Sequence, residues 1–181
     1  MAILPITVYG DKILREKTKP LLQVDDKTIK LIQDMFETMH NANGVGLAAN
    51  QVASDKSIFI VDLSMVEGYE KFKPHVFINP KILLYSDEKS VIEEGCLSLP
   101  NLRAEVERAS AIKIQYMDTD ENIQVIDVDD FFARVILHEY DHLQGKLIPD
   151  RIPKEIKTTL KNELDDIRER KIKVDYLITK K

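Results

Sequence analysis

The chain has 181 residues, of which 44% are hydrophobic and 31% charged, and its formal net charge is -5 at pH 7. This length predicts a single domain, residues 1–181, that buries about 70% of its unfolded surface without disulfides or a structural metal. The acidic balance argues against direct nucleic-acid recognition, which needs clustered Lys and Arg, and no apolar run approaches the roughly 18 residues of a membrane span.

The N-terminal segment and the cysteine content bear on the compartment. The start, MAILPITVYGDKILREK, lacks a basic stretch followed by a sustained apolar core, so we expect no secretory signal and a cytoplasmic protein. Cys96 is the one cysteine, which excludes an intramolecular disulfide. In a reducing compartment such a residue is either core filler or a chemical participant.

An amphipathic helix is predicted over residues 24–40, with Asp25 or Asp26 as its cap. Its apolar residues recur at helical spacing: Ile29, Ile32, Met35, Phe36 and Met39. The next segment, GVGLAANQ at 44–51, has small residues that let a backbone approach a ligand, and the Gln51 amide can donate a hydrogen bond. A tight turn between helix and strand explains the same composition.

Strands are predicted at 57–63, 76–79 and 81–85, the last two on either side of Pro80, with a loop at 64–74 and a turn at 86–90. The segment EEGCLSLP, residues 93–100, follows. An irregular backbone next to a glycine would present the Cys96 sulfur as a metal ligand. The alternative is a buried free thiol that packs like a small hydrophobe.

A hairpin is predicted from strands within 104–117 and at 124–128, and it leads into a helix at 131–145, FFARVILHEYDHLQG. Asp129 or Asp130 is expected to cap this helix, and Gly145 to end it. His138 and His142 lie one helical turn apart, so both imidazoles can reach one ion, while Glu139 beside them takes a proton from the attacking water. This is the HExxH pattern.

The last predicted helix spans 153–171, with a proline in its first turn and one apolar face: Ile156, Leu160, Leu164 and Ile167. The tail, residues 172–181, alternates Val174, Tyr176 and Ile178 and is expected to form a strand or an ordered arm. The fold class is therefore α+β, with antiparallel sheets around the HExxH helix and a further helix toward each terminus.

Three separated stretches resemble the motifs of the peptide deformylases, in the same order: GVGLAANQ, EGCLS and HEYDH. The resemblance implies a hydrolase that removes the N-formyl group from N-formylmethionyl nascent peptides and releases formate. It also implies that Cys96, His138 and His142 hold one divalent ion, usually ferrous iron (Fe2+) in the cell and replaceable by nickel, cobalt or zinc (Ni2+, Co2+, Zn2+). Residue types alone do not separate iron from zinc.

The same resemblance assigns roles around the ion. Glu139 would carry the proton, and the Gln51 amide with the backbone N–H of Leu97 would stabilise the oxyanion. The substrate would contact a set of surrounding residues: Val45, Gly46, Ile92, Arg103, Phe131 and Val135. For Arg103 an exposed surface arginine is the alternative. A ribosome contact through Lys and Arg near the C-terminus is a further hypothesis.

Two other functions are compatible with HExxH. A metallopeptidase with a downstream glutamate ligand would use Glu155 or Glu163 and leave Cys96 idle, whereas the metzincin pattern fails because residue 148 is isoleucine. A non-catalytic metal-binding domain would not need Glu139.

Overall fold

The computed structural model describes all of residues 1–181 as four α-helices, seven strands and three short 3-10 turns. The helices are α1 (Asp26–Asn41), α2 (Asp130–Leu143), α3 (Lys154–Thr159) and α4 (Lys161–Arg168). The strands are β1 (Gly46–Ala48), β2 (Ile58–Val61), β3 (His75–Tyr85), β4 (Lys89–Cys96), β5 (Leu99–Ala109), β6 (Ala111–Met117) and β7 (Ile123–Asp129). The 3-10 turns are Lys12–Arg15, Ala49–Val52 and Ile148–Asp150.

Two antiparallel sheets frame α2. The larger has the strand order β1-β2-β3-β6-β7, and the smaller is the β4-β5 pair. The helix α2 packs against strands of both. Its residues Ala133, Ile136 and Leu137 enter the largest apolar cluster with Phe59 and Phe77 of the larger sheet. The predicted α+β class and the central position of the HExxH helix are confirmed.

The helix starts follow the expected chemistry in one case only. Asp25 caps α1, because its side chain accepts a hydrogen bond from the Thr28 N–H. At α2 the predicted cap is wrong, since Asp129 makes no such bond. The strand β7 runs directly into α2 through the left-handed backbone of Asp130, φ 54°, whose carboxylate accepts a hydrogen bond from Tyr69 instead.

Several strand boundaries differ from the prediction. Residues 46–48 form a short strand instead of a turn, paired with β2. The two strands expected around Pro80 are one, β3, and its register shifts between Ile78 and Lys81. That irregularity lets a proline sit in a paired strand without donating a ladder hydrogen bond. The polar stretch before Cys96 is also a strand, β4.

The predicted C-terminal helix is broken at Leu160 into α3 and α4, and Pro153 occupies the cap position instead of the first turn. The hydroxyls of Thr158 and Thr159 donate to the carbonyls of Lys154 and Ile156, a local competition that bends helices. The tail is an ordered arm, as one of the two alternatives predicted.

No helix combines the length and apolar composition that crossing a bilayer requires.

Candidate active site

Three side chains that can bind a metal converge between α2 and the end of β4. The ligand atoms of Cys96, His138 and His142 all lie within 4.8 Å of one another. The two imidazoles come from successive turns of α2, with ring centroids 5.0 Å apart. Cys96 ends β4 where the register shifts after Gly95, and its sulfur lies 3.2 Å from His142 Nε2. Two imidazoles and one thiol leave a fourth tetrahedral position open, as in catalytic sites.

The electrostatics of these residues suit a cation. Burial lowers the pKa of His142, which keeps the imidazole in the neutral form that binds metals. Burial acts in the same direction on His138, but the Cys96 sulfur and the Glu94 carboxylate outweigh it and raise its pKa. The surroundings of His138 therefore favour a positive charge. The Nδ1 atom of His138 lies 2.9 Å from Glu94, so its Nε2 is the nitrogen free to face an ion.

A buried ionic cluster fixes Glu94. Its carboxylate accepts hydrogen bonds from Arg108 at 2.7 and 2.9 Å and from Arg134 at 3.0 Å. Burial alone would raise the pKa of Glu94, but the hydrogen bonds from His138 and Arg108 hold it well below its usual range. Arg108 also binds Asp141, which in turn pairs with Arg151. Asp141 thus braces α2 and is directed away from the ligand cluster.

Glu139 lies beside the ligands and is only 4% exposed. Its Oε2 atom is buried without a hydrogen-bond partner among the protein atoms, so this oxygen is available to a reacting water. Burial raises the pKa of Glu139 to about 7, against the opposing charges of His138 and Arg108. A carboxylate whose pKa lies near neutrality can both accept and return a proton.

Gly46 leaves the room that this carboxylate occupies. A Cβ atom at Gly46 would lie 2.6 Å from Glu139 Oε1 and 2.9 Å from its Cδ, too close for either to stay in place. We expect Gly46→Ala to lower kcat roughly 100-fold, because displacing a catalytic group by about 1 Å costs that much. Steady-state turnover measured at equal metal content checks this. Gly68→Ala is the control for adding a methyl group away from the site: the group meets no atom within 4 Å, and although the φ of 87° strains the backbone there, kcat should stay near wild type. A kcat near wild type in Gly46→Ala contradicts the prediction.

The amide of Gln51 is held in one orientation. Its oxygen accepts a hydrogen bond from the Ala48 N–H at 2.8 Å, which turns the NH2 group toward Ser98 Oγ at 3.1 Å and Cys96 Sγ at 3.7 Å. One of its two N–H bonds is therefore directed into the ligand cluster. Leu97 follows the cysteine directly in the chain and lines the same cavity as Gln51.

A cavity of about 610 Å³ opens onto this cluster. All of the sequence-predicted site residues line it except His142, which is buried behind the others. The structure thus brings together the predicted ligands, Glu139, Gln51, Leu97 and the predicted substrate contacts: Val45, Gly46, Ile92, Arg103, Phe131 and Val135. Arg103 keeps a 66% exposed side chain with one distant acidic partner, Glu93, at 4.0 Å.

Sequence reasoning missed the residues that position the ligands. Glu94 stood inside a recognised motif without a role, and Arg108 and Arg134 were not singled out. A signal existed for Arg108: it follows Ala104 and Val106 on the inward side of β5, where an arginine needs a buried partner. The missed Asn50 donates to the His142 carbonyl at 2.6 Å and ties the GVGLAANQ segment to α2.

The comparisons with known proteins agree with this geometry. The polypeptide deformylase family model matches residues 3–158. A peptide deformylase of Chlorobium phaeovibrioides is 44% identical over 174 residues, covering 96% of this chain and 91% of that protein.

Solved structures agree as well. The crystal structure of peptide deformylase from Thermotoga maritima matches with a TM-score of 0.79 at 40% identity, covering 84% of this chain and 99% of that one. The peptide deformylase of Ehrlichia chaffeensis gives a TM-score of 0.85 at 32% identity, covering 94% and 97%. The chain therefore belongs to the polypeptide deformylase family, and its activity is that of a peptide deformylase, the removal of the N-formyl group from nascent peptides.

Proposed function

We propose that the chain hydrolyses the formyl amide of formylmethionyl peptides at the Cys96, His138 and His142 cluster, with Glu139 as the proton carrier. One observation carries the assignment. The three ligand atoms converge within 4.8 Å beside a buried carboxylate that has one oxygen without a partner. Neither Glu155 nor Glu163 belongs to this cluster. Both are exposed on α3 and α4, which disfavours the metallopeptidase alternative.

Each of these residues has a separate role in the reaction. Cys96, His138 and His142 would hold a divalent ion, which would supply Lewis-acid polarisation and lower the pKa of the attacking water. Glu139 takes a proton from that water and later delivers it to the leaving amine, so that formate and a free N-terminus result. The Gln51 amide and the Leu97 N–H donate hydrogen bonds to the oxyanion, and losing such a donor costs roughly 100-fold or more in rate.

The cavity walls suit a peptide whose first side chain is unbranched and apolar. Phe131, Val135 and Ile92 offer an apolar surface for the methionine side chain. The peptide backbone would lie along Val45 and Gly46 as an added strand, a mode that reads main chain and tolerates varied side chains. The exposed guanidinium of Arg103 is available to a peptide carbonyl at the cavity mouth.

Four finer assignments complete the proposal. The native ion is ferrous iron; this choice rests on the family resemblance, since the thiol and imidazole ligand set fits iron and zinc alike. The protein works in the cytoplasm, where Cys96 stays reduced. Residues 1–181 act as one catalytic domain. Exposed lysines near the C-terminus, including Lys180 and Lys181, offer a contact for the ribosome. If the Lys180→Glu, Lys181→Glu double variant co-sediments with ribosomes as well as the wild type does, this contact is excluded.

The test is formate release from formyl-Met-Ala-Ser by protein purified without oxygen and loaded with ferrous iron or nickel. We expect stoichiometric formate and a free methionine amine, and no release from acetyl-Met-Ala-Ser or cleavage of its internal bonds. Cleavage between the amino acids, with the formyl group retained, would favour the peptidase. Bound metal without hydrolysis of either peptide would favour a non-catalytic domain.

A further inference from the structure

The C-terminal arm, residues 172–181, is anchored at its far end. Ile178 forms a parallel bridge with Ile6, whose N–H donates to the Leu177 carbonyl at 2.8 Å and whose carbonyl accepts from the Thr179 N–H at 2.9 Å. Ile178 packs against an apolar cluster of the smaller sheet and α4. The Thr179 hydroxyl donates to Asp11 at 2.6 Å. These contacts fix the path of the arm across the body.

The near end of the arm, Lys173–Tyr176, lines the active-site cavity. The Tyr176 hydroxyl donates to the Leu97 carbonyl at 2.8 Å, and the Asn101 amide donates to the Lys173 carbonyl at 3.2 Å. Val174 and Tyr176 are half-buried, whereas Lys173 and Asp175 between them are exposed. The arm thus turns one apolar side inward, next to the residue that follows the Cys96 ligand.

The position of the arm determines what it can meet. The formyl group is at the very N-terminus of the substrate and must reach Glu139, which is only 4% exposed. Every residue after the methionine therefore has to leave through the open side of the cavity. Leu97, Arg103 and the near end of the arm line the same cavity, and Arg103 is 66% exposed. A peptide that leaves the cavity on the side of Arg103 then passes the arm.

We propose that Val174 and Tyr176 form a wall of the subsite for the peptide residues that follow formylmethionine. This inference rests on the deformylase activity proposed above and adds a specificity determinant to it. The wall lies beyond the part of the chain that the family model matches, which ends at residue 158. The contact is with peptide side chains, because the inward face of the arm offers an aromatic ring and an aliphatic side chain.

The test compares kcat/KM for formyl-Met-Ala-Phe-Ser with kcat/KM for formyl-methionine amide in the full-length holoenzyme. We expect the ratio to fall roughly fivefold or more in Tyr176→Ala and to fall in Val174→Ala, mainly through KM, as for loss of an aromatic contact. Tyr176→Phe keeps the ring and should keep the ratio. Leu177→Ala is the matched control, since Leu177 is 52% exposed and lies outside the cavity.

A ratio unchanged in both Tyr176→Ala and Val174→Ala overturns the proposal, as does an equal fall in Leu177→Ala. If Tyr176→Ala and Val174→Ala act only by disturbing Leu97, kcat/KM falls equally for the two substrates and their ratio does not change. That result also overturns the proposal. Photolabelling the wild-type protein with formyl-Met-Ala-benzoylphenylalanine gives a readout independent of turnover. Labels within residues 173–176 support the wall, and labels confined to other segments overturn it. Absence of formate release from either substrate would instead overturn the proposed function.

Discussion

Cys96→Ala is expected to abolish formate release and to leave the purified protein without a stoichiometric ion. The variant keeps two imidazoles, whose donors lie within 4.8 Å of each other, but loses the one ligand that carries negative charge. We expect the loss of affinity to exceed the roughly 10- to 100-fold cost of changing a residue that only hydrogen-bonds to a ligand. Metal analysis of the purified variant, beside a titration with nickel, measures the effect.

The chain supplies controls for this experiment. His40→Gln removes a histidine outside the ligand cluster, with a 49% exposed side chain, and should retain a full ion. Glu163→Gln removes one of the two residues, Glu155 and Glu163, that the metallopeptidase alternative could use as its third ligand, and it should also retain the ion. Full occupancy in Cys96→Ala, with loss of the ion in Glu163→Gln, would replace the proposed ligand set with that of the peptidase.

Glu139→Gln is expected to lower kcat on the order of 10²- to 10⁴-fold, the usual contribution of a positioned acid or base. The amide has nearly the same shape as the carboxylate, so it fits beside Gly46, but it cannot accept the proton of the attacking water. Because Glu139 is a proton carrier and not a ligand, the bound metal should remain at one ion per chain. Formate release and metal content measured on the same preparation separate these two effects.

The control here is Glu163→Gln, the same change at an exposed residue of α4, which should keep wild-type kcat. A fall in kcat that follows loss of the ion would make Glu139 a ligand or a structural residue. Activity of Glu139→Gln within a few-fold of wild type would assign the proton transfer to another group.

The sequence predicted the helices that carry the chemistry because their patterns are local. The spacing of His138 and His142 defines one face of α2, and the apolar stripe of α1 with its Asp25 cap defines a helix by itself. The α+β class and the β6-β7 hairpin before α2 are confirmed in the same way. The convergence of Cys96 with the histidines is a tertiary fact, and the sequence could reach it only through the order of the three motifs.

The errors share a physical cause, which is that tertiary contacts override local patterns. The strand β4 contains the acidic pair Glu93 and Glu94, and the sequence alone predicts an irregular segment there. In the fold Arg108 and Arg134 form ion pairs with Glu94, which allows it to be buried in a strand. Pro80 was predicted to separate two strands because proline cannot donate a ladder hydrogen bond. The single strand β3 accommodates it because the register with β6 is irregular there. At the break at Leu160 the hydroxyls of the two preceding threonines bond to backbone carbonyls, and the path of the arm depends on contacts with Ile6 and Leu97.

X-ray absorption spectroscopy of the zinc-loaded protein identifies the ligands of the ion without relying on activity. We expect one sulfur ligand per ion at roughly 2.3 Å and two imidazole nitrogens at roughly 2.0–2.1 Å. The spectrum of any zinc that Cys96→Ala still binds should show no sulfur ligand. A wild-type spectrum with two imidazoles, a carboxylate and no sulfur would contradict the assignment of Cys96, and with it the proposed site.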